Sequence, residues 1–166
     1  TALAPVYGGF GTSLRYKWFD FSINFDYQIG GQCYDSTYAG LMSSPYQNSI
    51  GSNIHADILN AWTPENPNSN IPRFQFGDQY NATASDRFLT NASYLSLQNI
   101  VFGFTLPDDL AHKAHLNKVR LYLNCDNVWL WSKRQGLDPR LSMSGGGNNT
   151  YYSPIRTISG GINVTF

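Results

Sequence analysis

The sequence predicts an all-β fold of the membrane-barrel kind, built on five long antiparallel strands. Three observations carry this. Five segments of 10 to 16 residues alternate apolar and polar side chains, the period of a strand with one greasy and one wet face. Short and long connections alternate between these segments, and aromatic residues gather near both of their ends. Ordinary strands run to about 5–6 residues, whereas a tilted strand that crosses a bilayer needs about 9–11. All five segments meet the longer requirement.

The first, Gly8 to Lys17, sets Phe10, Thr12, Leu14 and Tyr16 against Gly11, Ser13, Arg15 and Lys17. A tight turn at Trp18 leads to the second, Phe19 to Gly30. There Phe19, Phe21, Ile23, Phe25, Tyr27 and Ile29 oppose Asp20, Ser22, Asn24, Asp26 and Gln28. In the third, Tyr94 to Leu106, Ile100, Phe102, Phe104 and Leu106 share one phase while Leu95 and Leu97 take the other. That predicts a bulge near Gln98 and Asn99, because one extra residue inverts the parity. The fourth, Leu116 to Trp131, sets Val119, Leu121, Leu123 and Cys125 against Lys118, Arg120, Tyr122, Asn124 and Asp126. The fifth, Pro154 to Phe166, places Ile158, Ile162, Val164 and Phe166 on one side.

Strands three and four are joined by PDDLAHKAH, a short link, whereas Gly31 to Ser93 and Ser132 to Ser153 are long. Short connections therefore share one end and long ones the other, as in outer-membrane barrels with short periplasmic turns and long outer loops. Trp18 and Phe19 mark one rim, and Trp129 and Trp131 the opposite one, as interfacial aromatic girdles require. Five strands cannot close a barrel, and open strand edges are not tolerated in lipid. The remaining wall is expected outside these 166 residues, and the start at Thr1, directly before a strand, agrees.

Composition narrows the function. Formal charge is zero, with 11 basic and 11 acidic residues, so nucleic acid is not an expected partner. No stretch approaches the length of a membrane helix, and TALAPVYGGF is not a signal peptide. Cys33 and Cys125 are expected as free or buried thiols. His112 and His115 lie at metal-ligand spacing but lack a third ligand, so no metal or other cofactor is expected. Ser144 to Asn148 is glycine-rich without a Lys, and four Asn-X-Ser/Thr matches, one of them inside a strand, are discounted. Glu65 is the only Glu and the Asp residues are scattered, which leaves an enzyme without its paired carboxylates.

The long loop is expected to carry function, since loops of this length rarely serve as tethers. Asp57 to Trp62 predicts a short helix, stopped by Thr63-Pro64-Glu65-Asn66-Pro67. Its aromatics, Tyr34, Tyr38, Tyr46, Trp62, Phe74, Phe76 and Tyr80, suit either a small core over the barrel mouth or a surface that touches sugar or peptide.

Several blocks resemble one family. Ser13 to Ser22, running on through Phe25-Asp26-Tyr27-Gln28-Ile29-Gly30-Gly31, resembles a hairpin of SusC/RagA-type TonB-dependent outer-membrane transporters. Asn60 to Asn68 with Ile71-Pro72-Arg73 is similar to that family's loop signature, as is Ser85 to Leu95 leading to Asn99-Ile100. Asp126-Asn127, then Gly136-Leu137-Asp138-Pro139, then Pro154 to Ile158 and Asn163 to Phe166 complete the resemblance in order along nearly the whole chain. Ala92, Ser96 and Cys125 depart from the family's usual residues, which weakens transfer of substrate contacts.

The resemblance implies the last five strands of a 22-stranded barrel, with the plug and TonB-contacting region upstream. It implies import of glycans or oligopeptides across the outer membrane, a SusD-like surface lipoprotein as lid, and outer-membrane lipid around the wall. Phe166 resembles the terminal aromatic that directs barrel assembly. Arg15, Asn24, Asp26, Gln28, Arg120, Tyr122, Asn124 and Asp126 are then expected to line the lumen, and Trp62, Phe74 and Tyr80 to meet substrate or lid. The competing expectation is a soluble all-β carbohydrate-binding module. It would use Trp62, Trp129 and Trp131 as sugar platforms and bury its apolar face under a second sheet.

Overall fold

The computed structural model describes residues 1–43, 51–78, 83–113, 115–133, 136–141, 146–147 and 153–166. In chain order the elements are β1 (Val6–Tyr16), β2 (Phe19–Ile29), β3 (Gln32–Asp35), α1 (Ser36–Met42) and β4 (Leu89–Asn91). They continue as β5 (Tyr94–Thr105), α2 (Asp108–Lys113), β6 (Lys118–Ser132), β7 (Gly146–Gly147) and β8 (Thr157–Thr165). The five long strands are those the alternation predicts, and they form one antiparallel sheet in the order β1-β2-β5-β6-β8.

Register carries the alternation across the sheet. Tyr16 pairs with Phe19, leaving Lys17 and Trp18 as a two-residue turn in which Lys17 takes a φ of 52°. The row Leu14, Phe21, Phe102, Leu123 continues the apolar face from β1 to β6, and the row Thr12, Ile23, Ile100, Cys125, Ile158 lies beside it. Farther toward the long loops the phase of β5 changes as expected. Asn24 pairs with Asn99, but Phe25 pairs with Leu97, so Gln98 is the extra residue. The irregularity spreads to β6, where Asp126 pairs with Asn99 and Trp129 with Leu97. Asn127, between them, has a φ of 51°, a conformation that Asn tolerates better than most side chains. Both phases of β5 thereby keep their apolar residues on one face. Phe10, Leu14, Phe102, Leu123 and Ile162 on that face stay exposed, contrary to the expectation of a sandwich module.

The short link between β5 and β6 contains α2. Asp108 and Asp109 stand in its first turn and His112 and Lys113 in its last, the charge order that a helix dipole favours. His115 lies beyond the helix with a φ of 58°, so the two histidines do not share a helical face. No metal-binding group of His, Cys, Asp or Glu occurs among the described residues.

The long loop folds into a small unit of its own. A second sheet, in the order β4-β3-β7, takes β3 directly after β2 and β4 directly before β5, and receives β7 from the connection after β6. Gly30 and Gly31 make the entry with φ of 87° and 76°, and a Cβ on either would press into Pro5 or Ala2. The exit is tied back by Ala92 N–H to Gly31 O at 3.1 Å and Gly30 N–H to Ser93 Oγ at 2.8 Å. The Asp35 carboxylate caps α1 by accepting from Tyr38 N–H at 2.9 Å. Met42, Ile58 and Phe88 form the core, with Tyr34, Tyr38 and Ile71 packed on it. Tyr34 and Tyr38 thus serve the loop's own core, one of the two roles expected of its aromatics. The expected helix from Asp57 is a 3-10 turn over Ala56–Asn60. Trp62 N–H donates to Ile71 O at 2.8 Å, which turns the chain away before the helix can continue.

Candidate functional site

The polar face of the large sheet is the candidate site. Alternation and register place Arg15, Asn24, Asp26, Gln28, Arg120, Tyr122, Asn124 and Asp126 together on it, with Asp20, Ser96 and Asn99 among them.

Three groups of side chains lie along this face. Nearest the short turns, Arg120 forks onto Asp20, with Nε to Oδ1 at 3.1 Å and Nη2 to Oδ2 at 2.5 Å. β5 lies between their strands, and the pair crosses it at Gly103, which lacks a side chain to obstruct the bridge. Mid-sheet, Asn99 donates to Asn124 Oδ1 at 2.6 Å and to Asp126 Oδ1 at 2.7 Å. Asn124 donates in turn to Asp126 Oδ2 at 2.7 Å. Such a closed amide–carboxylate network fixes rotamers, since a half-satisfied one would be costly.

The third group, near the long loops, was not legible as a site. Arg140 grips Asp138 with Nε and Nη2 at 2.9 and 2.7 Å and reaches Ser96 Oγ with Nη1 at 2.9 Å. Asp138 and Ser96 are fully buried. The Asp138 carboxylate holds the guanidinium pKa above its ordinary value, against the opposing pull of burial. This clamp fastens the Gly136-Leu137-Asp138-Pro139 segment to β5. Beside it lies a cavity of about 450 Å³, lined by Tyr7, Gln28, Cys33, Tyr94 and Arg140. Of these, Gln28 is an expected lumen residue and Cys33 an expected free or buried thiol. Cys33 packs with Ala92 and Leu137, and burial pushes its thiol pKa up.

Of the loop candidates, Trp62 and Phe74 are partly exposed, and Tyr80 lies outside the described residues, as does Tyr46. Phe166 follows β8 and is 86% exposed. On the apolar face Trp129 and Trp131 contact each other with centroids 6.1 Å apart.

No family model matches the chain. Sequence relatives are found in Formosa agariphila. TonB-dependent receptor P3 is 32% identical over 168 residues, and TonB-dependent receptor P26 is 32% identical over the same length. Each match covers 95% of this chain and 16% of the relative. TonB-dependent receptor P39 is 25% identical over 171 residues. Among solved structures, a RagAB peptide transporter superposes over 100% of this chain and 18% of its own with a TM-score of 0.83 and 26% identity. The RagAB peptide importer in the closed-closed state gives a TM-score of 0.84 at 24% identity. The chain thus spans about one-sixth of the length of its curated relatives. Long strands with one greasy and one wet face, a matching three-dimensional course and relatives of one kind agree: the chain corresponds to a segment of TonB-dependent receptors, with the fold of part of RagAB, and forms part of an outer-membrane β-barrel wall.

Proposed function

We propose that the complete receptor imports glycans or oligopeptides across the outer membrane, powered through TonB and capped by a SusD-like surface lipoprotein. The observation that carries this reading is the two-sided sheet. A continuous apolar face backs a hydrogen-bonded polar face, and β1 and β8 each pair on one side only among the described residues. Such a sheet suits an arc of a larger wall, read here as the last five strands of 22, with the apolar face toward lipid and the polar face toward the lumen.

On this reading Arg15, Asn24, Asp26, Gln28, Arg120, Tyr122, Asn124 and Asp126 line the lumen wall, where they meet the plug or passing cargo. Trp62, Phe74 and Tyr80 belong to the outer loops that meet cargo or lid. Phe166 serves as the assembly signal. The likeness to a peptide importer favours oligopeptides as the first cargo to test.

The test is to purify the full-length receptor from its native membrane. Co-purified polypeptides are then identified, and growth of a deletion strain is measured on single glycans and on peptide mixtures. A co-purifying lipoprotein and a growth defect on one cargo class support the proposal. A receptor that copurifies alone, in a strain that grows normally on both classes, overturns it.

A further inference from the structure

The apolar face ends, at the long-loop rim, in a cation. Arg156 immediately precedes β8, on the parity of Ile158, Ile162 and Val164. Its guanidinium carbon stands 5.8 Å from the ring centroid of Trp129. Trp129 is in register with Leu97 and Phe25 of the same apolar face, so Arg156 lies on that face as well. The neighbouring backbone is held, since Asn127 Nδ2 donates to Ile155 O at 3.3 Å.

Two features set this arginine apart. Arg120 and Arg140 each grip a carboxylate, but Arg156 has no hydrogen bond or ion pair to any described residue. Asp126, in register with Thr157, belongs to the amide network on the opposite face, and Asp138 is held by Arg140. Beside the two indoles runs a cavity of about 360 Å³, lined by Trp129, Trp131, Ser132, Gly136, Ser153 and the Arg140-paired Asp138.

We propose that Arg156, braced on Trp129, binds the phosphate of an anionic lipid headgroup in the leaflet at the long-loop rim. A cation stacked on an indole keeps its N–H donors directed outward and unused. Trp sits at headgroup depth in membrane proteins, and a guanidinium at that depth meets phosphate with matching fork geometry. The cavity beside the indoles offers room for the remainder of the headgroup. The site depends on the apolar face being the lipid-facing one.

The test uses the full-length receptor in nanodiscs of phosphatidylcholine doped with phosphatidylglycerol, with retained lipid counted by native mass spectrometry. Arg156→Gln is expected to lower retained phosphatidylglycerol about fivefold, the effect of one interfacial cation. Arg156→Lys is expected to keep most of it, and millimolar inorganic phosphate should not displace it. In parallel, brominated acyl chains should quench indole fluorescence in the wild type, and Trp129→Phe should remove part of that quenching. If Trp129→Phe removes none, the face assignment and the site both fall. If quenching is present but Arg156→Gln retains as much lipid as wild type, the headgroup site alone falls. Displacement by free phosphate also overturns it, marking a site for soluble anions.

Discussion

Asp20 and Arg120 stand on strands that never pair, and their ion pair passes over β5 at Gly103. A Cβ at position 103 would run into both carboxylate oxygens and Arg120 Nη2. Gly103→Ala is therefore expected to break the fork. A charge-assisted bond of this exposure is worth about 1.5–3 kcal/mol, and Ala in place of strand Gly returns about 0.5–1. The net loss is about 1 kcal/mol, read from urea unfolding of the full-length receptor in micelles. In an Asp20→Asn background the same change should become neutral or stabilising. A cost unchanged by that background would mean Gly103 serves something other than the pair.

Lys17 carries a φ of 52° in the two-residue turn between β1 and β2. Left-handed backbone costs a side-chain-bearing residue about 1–2 kcal/mol. Glycine is at ease there, although it adds unfolded-state entropy. Lys17→Gly should raise stability by about 0.5–1 kcal/mol in the same unfolding measurement, even though it discards the contact of the ammonium with the Tyr16 ring at 5.4 Å.

Adjacent positions on β2 should behave oppositely. Ile23 stands mid-row on the apolar face, between Thr12 and Ile100, and Asn24 points the other way. Ile23→Arg should cost about 2–4 kcal/mol near the bilayer midplane and reduce the heat-modifiable, folded fraction of the receptor in outer membranes. Asn24→Ala should leave that fraction unchanged. Equal behaviour of the two variants would reverse the faces.

Removing one partner of the Arg140 clamp strands a buried carboxylate. The Asp138 side chain is 1% exposed, so Arg140→Ala should cost about 3–5 kcal/mol locally. Arg140→Lys should recover only part, because an ammonium cannot fork. The readout is protease cleavage after residue 133, which should appear in Arg140→Ala and diminish when Asp138→Ala is added.

Cys33 gives the pH prediction. Its thiol pKa is raised in the folded chain, so the unfolded thiol loses its proton first as pH climbs. Its contribution to stability is complete below the ordinary thiol range, near pH 8.5. It declines as pH rises from there toward the raised value. Iodoacetamide should accordingly label Cys33 slowly at pH 7.5 in the folded receptor and rapidly once urea opens the loop unit. Fast labelling of the folded protein at pH 7.5 would show the thiol to be accessible.

The long strands, the face of each predicted lumen residue and even the bulge at Gln98 were legible, because strict alternation over ten or more residues has one structural meaning. The short sheet was not. Gln32–Asp35 and Leu89–Asn91 are too brief to display a period, and pairing across more than fifty residues leaves no local mark. The Arg140 clamp escaped for a similar reason: Asp138 looks like a loop acid until the fold brings Ser96 beneath its partner. In the sequence Asn99 marks a phase change and a family-like block, with no sign that its amide links Asn124 to Asp126. The six-residue helix signal from Asp57 to Trp62 was real but ended as a 3-10 turn, since the Trp62 amide found Ile71 instead.

The extra residue at Gln98 behaves like a frameshift in the wall. On either side of it β5 obeys opposite parity, and β6 answers with its own irregularity at Asn127. β5 cannot be exchanged alone with a regular strand, because half its side chains would then reach the wrong face, and β6, whose parity is constant, carries the unpaired residues that match the bulge. β5, α2 and β6 therefore form a single cassette for recombination, and grafts between related barrels should succeed only at seams that carry the hairpin whole.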